Sequence, residues 1–191
     1  MREFDILKEC ASNLKELSKD TSISGRECYM TESTEQVIDF DKVKTRYLNS
    51  LELSEENASS VDGIICKDDD VIFIEFKNGN MRNEKRKVKD KIRDSLLIFG
   101  DITGMGIAHM REYGTFILVY NEDKNPLTDQ EKRARRDGES SPSLVKIARY
   151  FSDKAEEEFI RFDLERFKKL YFKKVYTYSK ERFERYISNI T

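Results

Sequence analysis

The chain has 191 residues, of which 38% are hydrophobic and 38% are charged. This length suits one domain with a substantial core, spanning residues 1–191, and is short for two. Lysine and arginine total 35 against 37 aspartate and glutamate, a net charge of −2, so only a local basic surface could attract nucleic acid. No apolar run reaches membrane-spanning length, and Met1–Asp5 lacks the apolar segment of a signal peptide. We therefore expect a cytoplasmic protein without a membrane partner.

The N-terminal segment has apolar residues at helical spacing, which predicts one amphipathic helix from Glu3 to about Lys19. These residues are Phe4, Leu7, Ala11, Leu14 and Leu17. Further along, Gln36–Phe40 predicts a short strand, and a helix should begin near Asp41. Ser54–Ser60 is then a loop that leads into the most informative part of the chain.

That part is a predicted β-hairpin. The apolar runs Val61–Cys66 and Val71–Phe76 flank a polar break, the pattern of two paired strands joined by a tight turn. We place a two-residue turn at Asp68–Asp69, and we expect Cys66 to be a buried small apolar residue.

Three charged residues are set into this hairpin. With the turn at 68–69, Asp62 falls opposite Glu75, and their side chains share one face of the sheet. Because side chains alternate along a strand, Lys77 lies on that face too. A one-residue slip in register would separate the three residues.

Burying a carboxylate in so apolar a strand should cost several kcal/mol unless a cation neutralises it. Two carboxylates with backbone carbonyl oxygens suit a hard divalent ion such as Mg²⁺, with Mn²⁺ as a substitute. Lys77 could orient or deprotonate the attacking water, or balance charge on a phosphate. These residue types therefore point to metal-assisted hydrolysis of a phosphodiester.

At these positions the sequence resembles the PD-(D/E)XK nuclease superfamily, whose pattern is an Asp on one strand, Glu-X-Lys on the next and then a helix. The match is Asp62 followed by Glu75-Phe76-Lys77, with Val61 where the motif often has proline. The resemblance covers residues 60–100. It implies an α/β fold of restriction-endonuclease-like type, with a mixed central β-sheet flanked by helices.

The resemblance also implies a function. Asp62, Glu75 and Lys77 would be the catalytic residues, Asp62 and Glu75 the metal ligands, and DNA is favoured over RNA as the substrate. Many members take another acidic ligand from a helix before the Asp strand. Asp41, Glu55 and Glu56 are all candidates for it.

A second Glu-X-Lys, Glu122-Asp123-Lys124, follows the apolar run Phe116–Tyr120 and leads into Asn125-Pro126. It is expected to be a surface loop. For the first copy, Glu75-Phe76-Lys77, the alternative to a catalytic site is a hairpin with a salt bridge and no catalytic activity.

After a turn at residues 78–80, a helix is predicted from about Glu84 to Phe99, with a buried apolar stripe consisting of Val88, Ile92, Leu96 and Phe99. Between Arg82 and Arg93 the chain has seven basic and two acidic residues. Arg82, Lys89 and Lys91 are therefore candidates for contacts with a nucleic-acid backbone. Lys91 is the more specific candidate because it borders the apolar stripe, one turn before Ser95. The alternative is an ordinary solvated helix face.

The rest of the chain predicts a break at Gly100–Gly106 and a buried strand at Gly114–Tyr120, beside the strand of Glu75. A polar segment that includes a basic run at 131–136 follows, and then a helix beginning at Ser141-Pro142. Phe167–Tyr176 is expected to be a strand with a core face, although its interleaved aromatic and basic residues could instead bind nucleic acid. A last helix should begin after Ser179.

The sequence thus predicts a Mg²⁺-dependent nuclease, endo- or exonucleolytic, that could act in restriction, repair or defence against mobile elements. A non-catalytic nucleic-acid- or protein-binding module with the same fold is the second hypothesis. A metal-dependent hydrolase of another phosphate ester is the third. A homodimer or a partner protein is left open.

Overall fold

The structure, a computed structural model, describes residues 3–20, 27–129, 131–132 and 159–190. Six helices with both ends in these ranges are α1 (Glu3–Glu9), α2 (Leu14–Leu17), α3 (Phe40–Ser50), α4 (Lys85–Thr103), α5 (Ile107–Tyr113) and α6 (Lys180–Ile190). The strands are β1 (Ala11–Asn13), β2 (Lys19–Asp20), β3 (Cys28–Tyr29), β4 (Gln36–Asp39), β5 (Gly63–Lys67), β6 (Asp70–Lys77), β7 (Gly114–Tyr120) and β8 (Lys174–Ser179). None of the helices in these ranges has the length and apolar character needed to cross a membrane.

Six strands form one sheet in the order β1-β4-β5-β6-β7-β8, and β2 pairs with β3 in a separate ribbon. The pairs from β1 to β6 are antiparallel, whereas β6, β7 and β8 are parallel to one another. The predicted mixed α/β sheet flanked by helices is therefore confirmed.

Side chains alternate between two apolar cores, one on each face of the sheet. On β6, Phe73 packs into the core that also contains residues of α1, α3 and α4. Its neighbour Ile74 packs into the other core, which contains Leu14 of α2 and Phe183 of α6. Glu75 has the parity of Phe73, so its side chain lies on the face covered by α4.

The hairpin has the predicted register. Lys67 pairs with Asp70, and Gly63 pairs with Ile74, so the turn consists of Asp68 and Asp69. Asp68 has φ of 53°, a left-handed conformation that aspartate tolerates better than most residues. Cys66 is exposed rather than buried, because it lies close to the tip of the hairpin.

The prediction of a single helix from Glu3 to Lys19 is wrong. Helix α1 ends at Glu9, and Ala11–Asn13 pairs antiparallel with β4 at the edge of the sheet. The side chain of Asn13 then caps α2 by accepting a hydrogen bond from the amide of Glu16, at 3.0 Å. Pairing with the sheet and a helix cap thus override the helical spacing of the apolar residues.

The helix after the hairpin carries the predicted buried stripe, but it continues through Gly100 to Thr103. The break comes at Gly104, whose φ of 72° ends the helix in a left-handed conformation. The short helix α5, which the sequence did not indicate, then leads into β7.

The C-terminal strand is shorter than predicted. A 3₁₀ helix at Glu165–Phe167 and a turn come first, and β8 begins at Lys174. The chain turns back here because Phe167 and Phe172 are both buried, with the amide of Phe172 bonded to the carbonyl of Phe167. The predicted helix at Ser141-Pro142 and most of the basic run at 131–136 lie outside the described residues.

Candidate active site

The hairpin brings Asp62 and Glu75 together on the face covered by α4. The pairing of Gly63 with Ile74 sets Asp62 opposite Glu75, as predicted. The backbone amide of Phe76 donates a hydrogen bond of 2.6 Å to Asp62 Oδ2, which fixes this carboxylate against β6. Glu75 lies on the central part of the sheet between β5 and β7 and is fully buried.

Both carboxylates contact the same lysine, Lys91 of α4. Its Nζ lies 3.2 Å from Asp62 Oδ1 and 2.8 Å from Glu75 Oε1, and it donates a 3.0 Å hydrogen bond to Glu75 Oε2. The sequence singled out Lys91 as a contact for nucleic acid. The structure instead places its ammonium between two carboxylates.

Lys77 is the second lysine of the site. Its Nζ lies 3.1 Å from Glu75 Oε1 and 3.8 Å from Glu84 Oε2, so the ammonium sits between a buried and a more exposed carboxylate. Glu84 comes directly before α4 and also contacts Lys87, whose hydrogen bond lowers the pKa of Glu84. The three residues predicted to form the site are therefore brought together.

Two further contacts hold the Asp62 segment in place. The amide of Val61 donates a 2.9 Å hydrogen bond to Oγ of Ser95, which is fully buried in α4. The carbonyl of Asp62 accepts a 3.1 Å hydrogen bond from the amide of Phe40, the first residue of α3. The sequence did not indicate the role of Ser95, although a serine on a buried helix stripe needs a hydrogen-bond partner.

Burial strongly affects the charges of this cluster. Burial raises the pKa of Glu75 to about 7, and the neighbouring charge of Asp62 adds to the rise while Lys91 and Lys77 oppose it. The pKa of Asp62 is likewise raised by burial. Burial alone would lower the pKa of Lys91, but the carboxylates of Glu75 and Asp62 more than compensate and raise it. Lys91 is therefore a cation at neutral pH, whereas the pKa of Glu75 lies close to neutral.

The donor atoms suit a small divalent cation. Glu75 Oε1 is buried, and the ammonium groups of Lys91 and Lys77 lie 2.8 and 3.1 Å from it. A buried carboxylate oxygen that attracts two cations has the charge needed to bind a metal. No group of three His, Cys, Asp or Glu side chains in the described ranges could hold a metal. Two carboxylates are nevertheless a usual protein contribution to Mg²⁺, which keeps several waters.

Among the three candidates for an additional acidic ligand, Asp41 is the one whose charge acts on Asp62, although among the described residues it does not form a three-carboxylate metal group with the pair. This residue lies in the first turn of α3, and its charge is close enough to raise the pKa of Asp62. Its Oδ1 accepts a hydrogen bond from the hydroxyl of Ser60, next to the hairpin. Glu55 and Glu56 lie on an exposed 3₁₀ helix in the loop before it.

A cavity of about 450 Å³ opens beside the site. Asp62, Lys77 and Glu84 line it on one side, and Lys19 and Asp20 of the β2–β3 ribbon line it on another. This cavity connects one carboxylate of the pair and the Lys77 side chain to solvent.

The other two predicted nucleic-acid contacts lie outside this cavity. Lys89 faces away from the carboxylates, with its Nζ 3.8 Å from Asp163. Arg82 is exposed and lines a separate cavity of about 640 Å³ that includes neither Asp62 nor Glu75. The larger cavity therefore does not mark the cluster of perturbed carboxylates, and we place the candidate active site at the smaller one.

The second Glu-X-Lys lies in a turn after β7, where Glu122, Asp123 and Lys124 are all exposed. The prediction of a surface loop is confirmed.

Comparisons with protein-family models, with curated proteins and with solved structures found no match to this chain. A functional argument therefore depends on the site itself.

Proposed function

We propose that this protein is a Mg²⁺-dependent nuclease with a restriction-endonuclease-like fold, acting on DNA in preference to RNA. The observation that carries the proposal is the convergence of Asp62 and Glu75 on one cation position, with Lys77 beside them. Perturbed carboxylates grouped with a lysine next to a cavity are a frequent property of catalytic sites. The preference for DNA rests on the resemblance of the motif alone.

In this proposal each residue has a distinct role. Asp62 and Glu75 would hold the metal, and Asp41 would bind one of its waters. When bound, Mg²⁺ supplies a Lewis acid for the phosphate oxygen and lowers the pKa of a coordinated water. The Lys77 ammonium, held by Glu75 and Glu84, orients the attacking water or balances the charge that develops on the phosphate.

A second candidate function has its own support. Lys91 already forms ion pairs with both carboxylates and Lys77 with Glu75, so the cluster is a complete ionic network without a metal. A binding module that keeps the fold and has no activity would need no more than this. Hydrolysis of another phosphate ester is the third candidate, because the same donors would serve it.

Cleavage assays on plasmid, single-stranded DNA, RNA and nucleotides separate these candidates. Each substrate is incubated with Mg²⁺, with Mn²⁺ and with a chelator, using the wild type and Asp62→Asn. The proposal expects cleavage of a polynucleotide by the wild type with metal, and loss of it in Asp62→Asn. Hydrolysis of nucleotides alone would favour the third candidate, and a folded wild type that is inactive on every substrate would favour the second.

A further inference from the structure

The position of Lys91 bears on how the proposed metal site would be filled. Its Nζ lies within 3.2 Å of both Asp62 and Glu75, so the ammonium occupies the point where the two carboxylates converge. The Lys91 side chain is only 21% exposed. The lysine is therefore part of the interior of the site rather than of its surface.

We propose that Lys91 is a built-in counter-ion that competes with a divalent cation for the Asp62–Glu75 pair. In the absence of metal it forms ion pairs with both carboxylates, and it must withdraw before they can bind a metal. This inference rests on the metal site of the proposed function. It adds a positioning residue that sets the affinity of the site.

The competition follows from charge and distance. An ammonium and a divalent ion that share the same carboxylate oxygens would lie within a few Å of each other, and like charges this close repel strongly in a buried site. A lysine has a flexible four-carbon stem, so its ammonium can leave the carboxylates without a change in the backbone. Lys77 also lies 3.1 Å from Glu75 Oε1, but its second ion pair is with Glu84, so it does not occupy the point where Asp62 and Glu75 converge.

The first test is the metal affinity of Lys91→Met. Methionine keeps the length of the stem and removes the charge. Calorimetric titration with Mn²⁺, without nucleic acid, should give a dissociation constant at least about tenfold lower for this variant than for the wild type.

Lys89→Met is the matched control. Lys89 is on the same helix and is similarly buried, with 17% of its side chain exposed, but its amine contacts Asp163. The control loses the same charge from the same helix, so it should bind Mn²⁺ as the wild type does. Equal affinities for Lys91→Met and Lys89→Met would overturn the inference.

The second test uses the wild type and does not depend on a variant that folds. An amine-specific acylating reagent, read out by mass spectrometry, should modify Lys91 slowly without metal and several-fold faster at saturating Mn²⁺. Labelling of Lys89 should not change. Unchanged labelling of Lys91 in a metal-saturated protein would overturn the inference.

Neither readout requires catalysis, so this inference and the proposed function can fail separately. Tighter binding by Lys91→Met in a protein that cleaves nothing would support the counter-ion role and contradict the nuclease. A wild type that cleaves DNA with Mn²⁺, but whose Lys91 is labelled at the same rate with and without metal, would support the nuclease and contradict the counter-ion role.

Discussion

The Lys91 ammonium lies 2.8 Å from Glu75 Oε1, so helix α4 supplies a cation to a carboxylate at the centre of the sheet. Glu75 is fully buried among apolar neighbours, and few arrangements would keep a charge there. The same ammonium contacts Asp62, the residue directly before β5. Lys91 of α4 thus links the start of β5 to β6. The stability of the protein and the chemistry of its candidate site therefore depend on the same contacts.

The raised pKa of Glu75 predicts how stability changes with pH. Its pKa is about 7 in the folded protein against an ordinary value of 4.5, so the folded state binds this proton more tightly than the unfolded chain. Raising the pH from 4.5 to 7 removes this proton from the folded protein and lowers the free energy of unfolding by up to about 3 kcal/mol. Chemical denaturation at several pH values between 4.5 and 7 measures the fall.

Glu75→Gln is the control for that measurement. It removes the titrating group and keeps a similar shape, so its stability should vary less over the same window. A wild type that becomes more stable from pH 4.5 to 7 would show that attraction to the two lysines outweighs burial.

The hydrogen bond between Ser95 and Val61 predicts that loss of the Ser95 hydroxyl lowers the free energy of unfolding. Ser95→Ala leaves the buried amide of Val61 without a hydrogen-bond partner and should lower the free energy of unfolding by about 1–3 kcal/mol. Ser188→Ala is a suitable control, because the hydroxyl of this exposed serine in α6 donates a hydrogen bond to the carbonyl of Glu184 in its own helix. Denaturation of both variants should show a clear loss for Ser95→Ala alone, and equal small effects would mean that the Val61 contact contributes little.

Gly114 predicts a steric effect where α5 meets β7. A β-carbon at this position would lie 2.5 Å from the carbonyl oxygen of Met110 and 2.9 Å from its α-carbon. These are backbone atoms, which cannot yield as a flexible side chain does, so Gly114→Ala should cost about 1–3 kcal/mol.

Gly106→Ala is the matched control for that substitution. Nothing lies within 4 Å of the corresponding β-carbon, so its melting temperature should stay close to that of the wild type. A melting temperature for Gly114→Ala as high as for Gly106→Ala would contradict the close packing of α5 on β7.

The hairpin could be predicted because its information is local. Two apolar, β-branched runs on either side of a polar break indicate two strands, and a two-residue turn sets the register that places Asp62 opposite Glu75. The strand at Gly114–Tyr120 is similarly evident, because a long apolar run between polar segments suits a strand buried on both faces.

Other features depended on contacts between distant segments. Lys89 and Lys91 look alike in a basic run, and only the way α4 packs on the sheet turns one toward Asp163 and the other toward the carboxylates. At the N-terminus, Ala11–Asn13 has helical spacing but pairs with β4, which lies 25 residues further along the chain at Gln36. Local spacing carries no information about such partners.

The role proposed for Lys77 in metal-dependent hydrolysis can be tested by replacing this residue. Cleavage rates at saturating Mg²⁺ are compared for the wild type, Lys77→Ala and Lys124→Ala, the last altering the lysine of the exposed Glu122-Asp123-Lys124 turn. We expect the cleavage rate of Lys77→Ala to fall by at least about 100-fold with metal binding retained, and Lys124→Ala to cleave at the wild-type rate. Unchanged cleavage by Lys77→Ala would contradict this role.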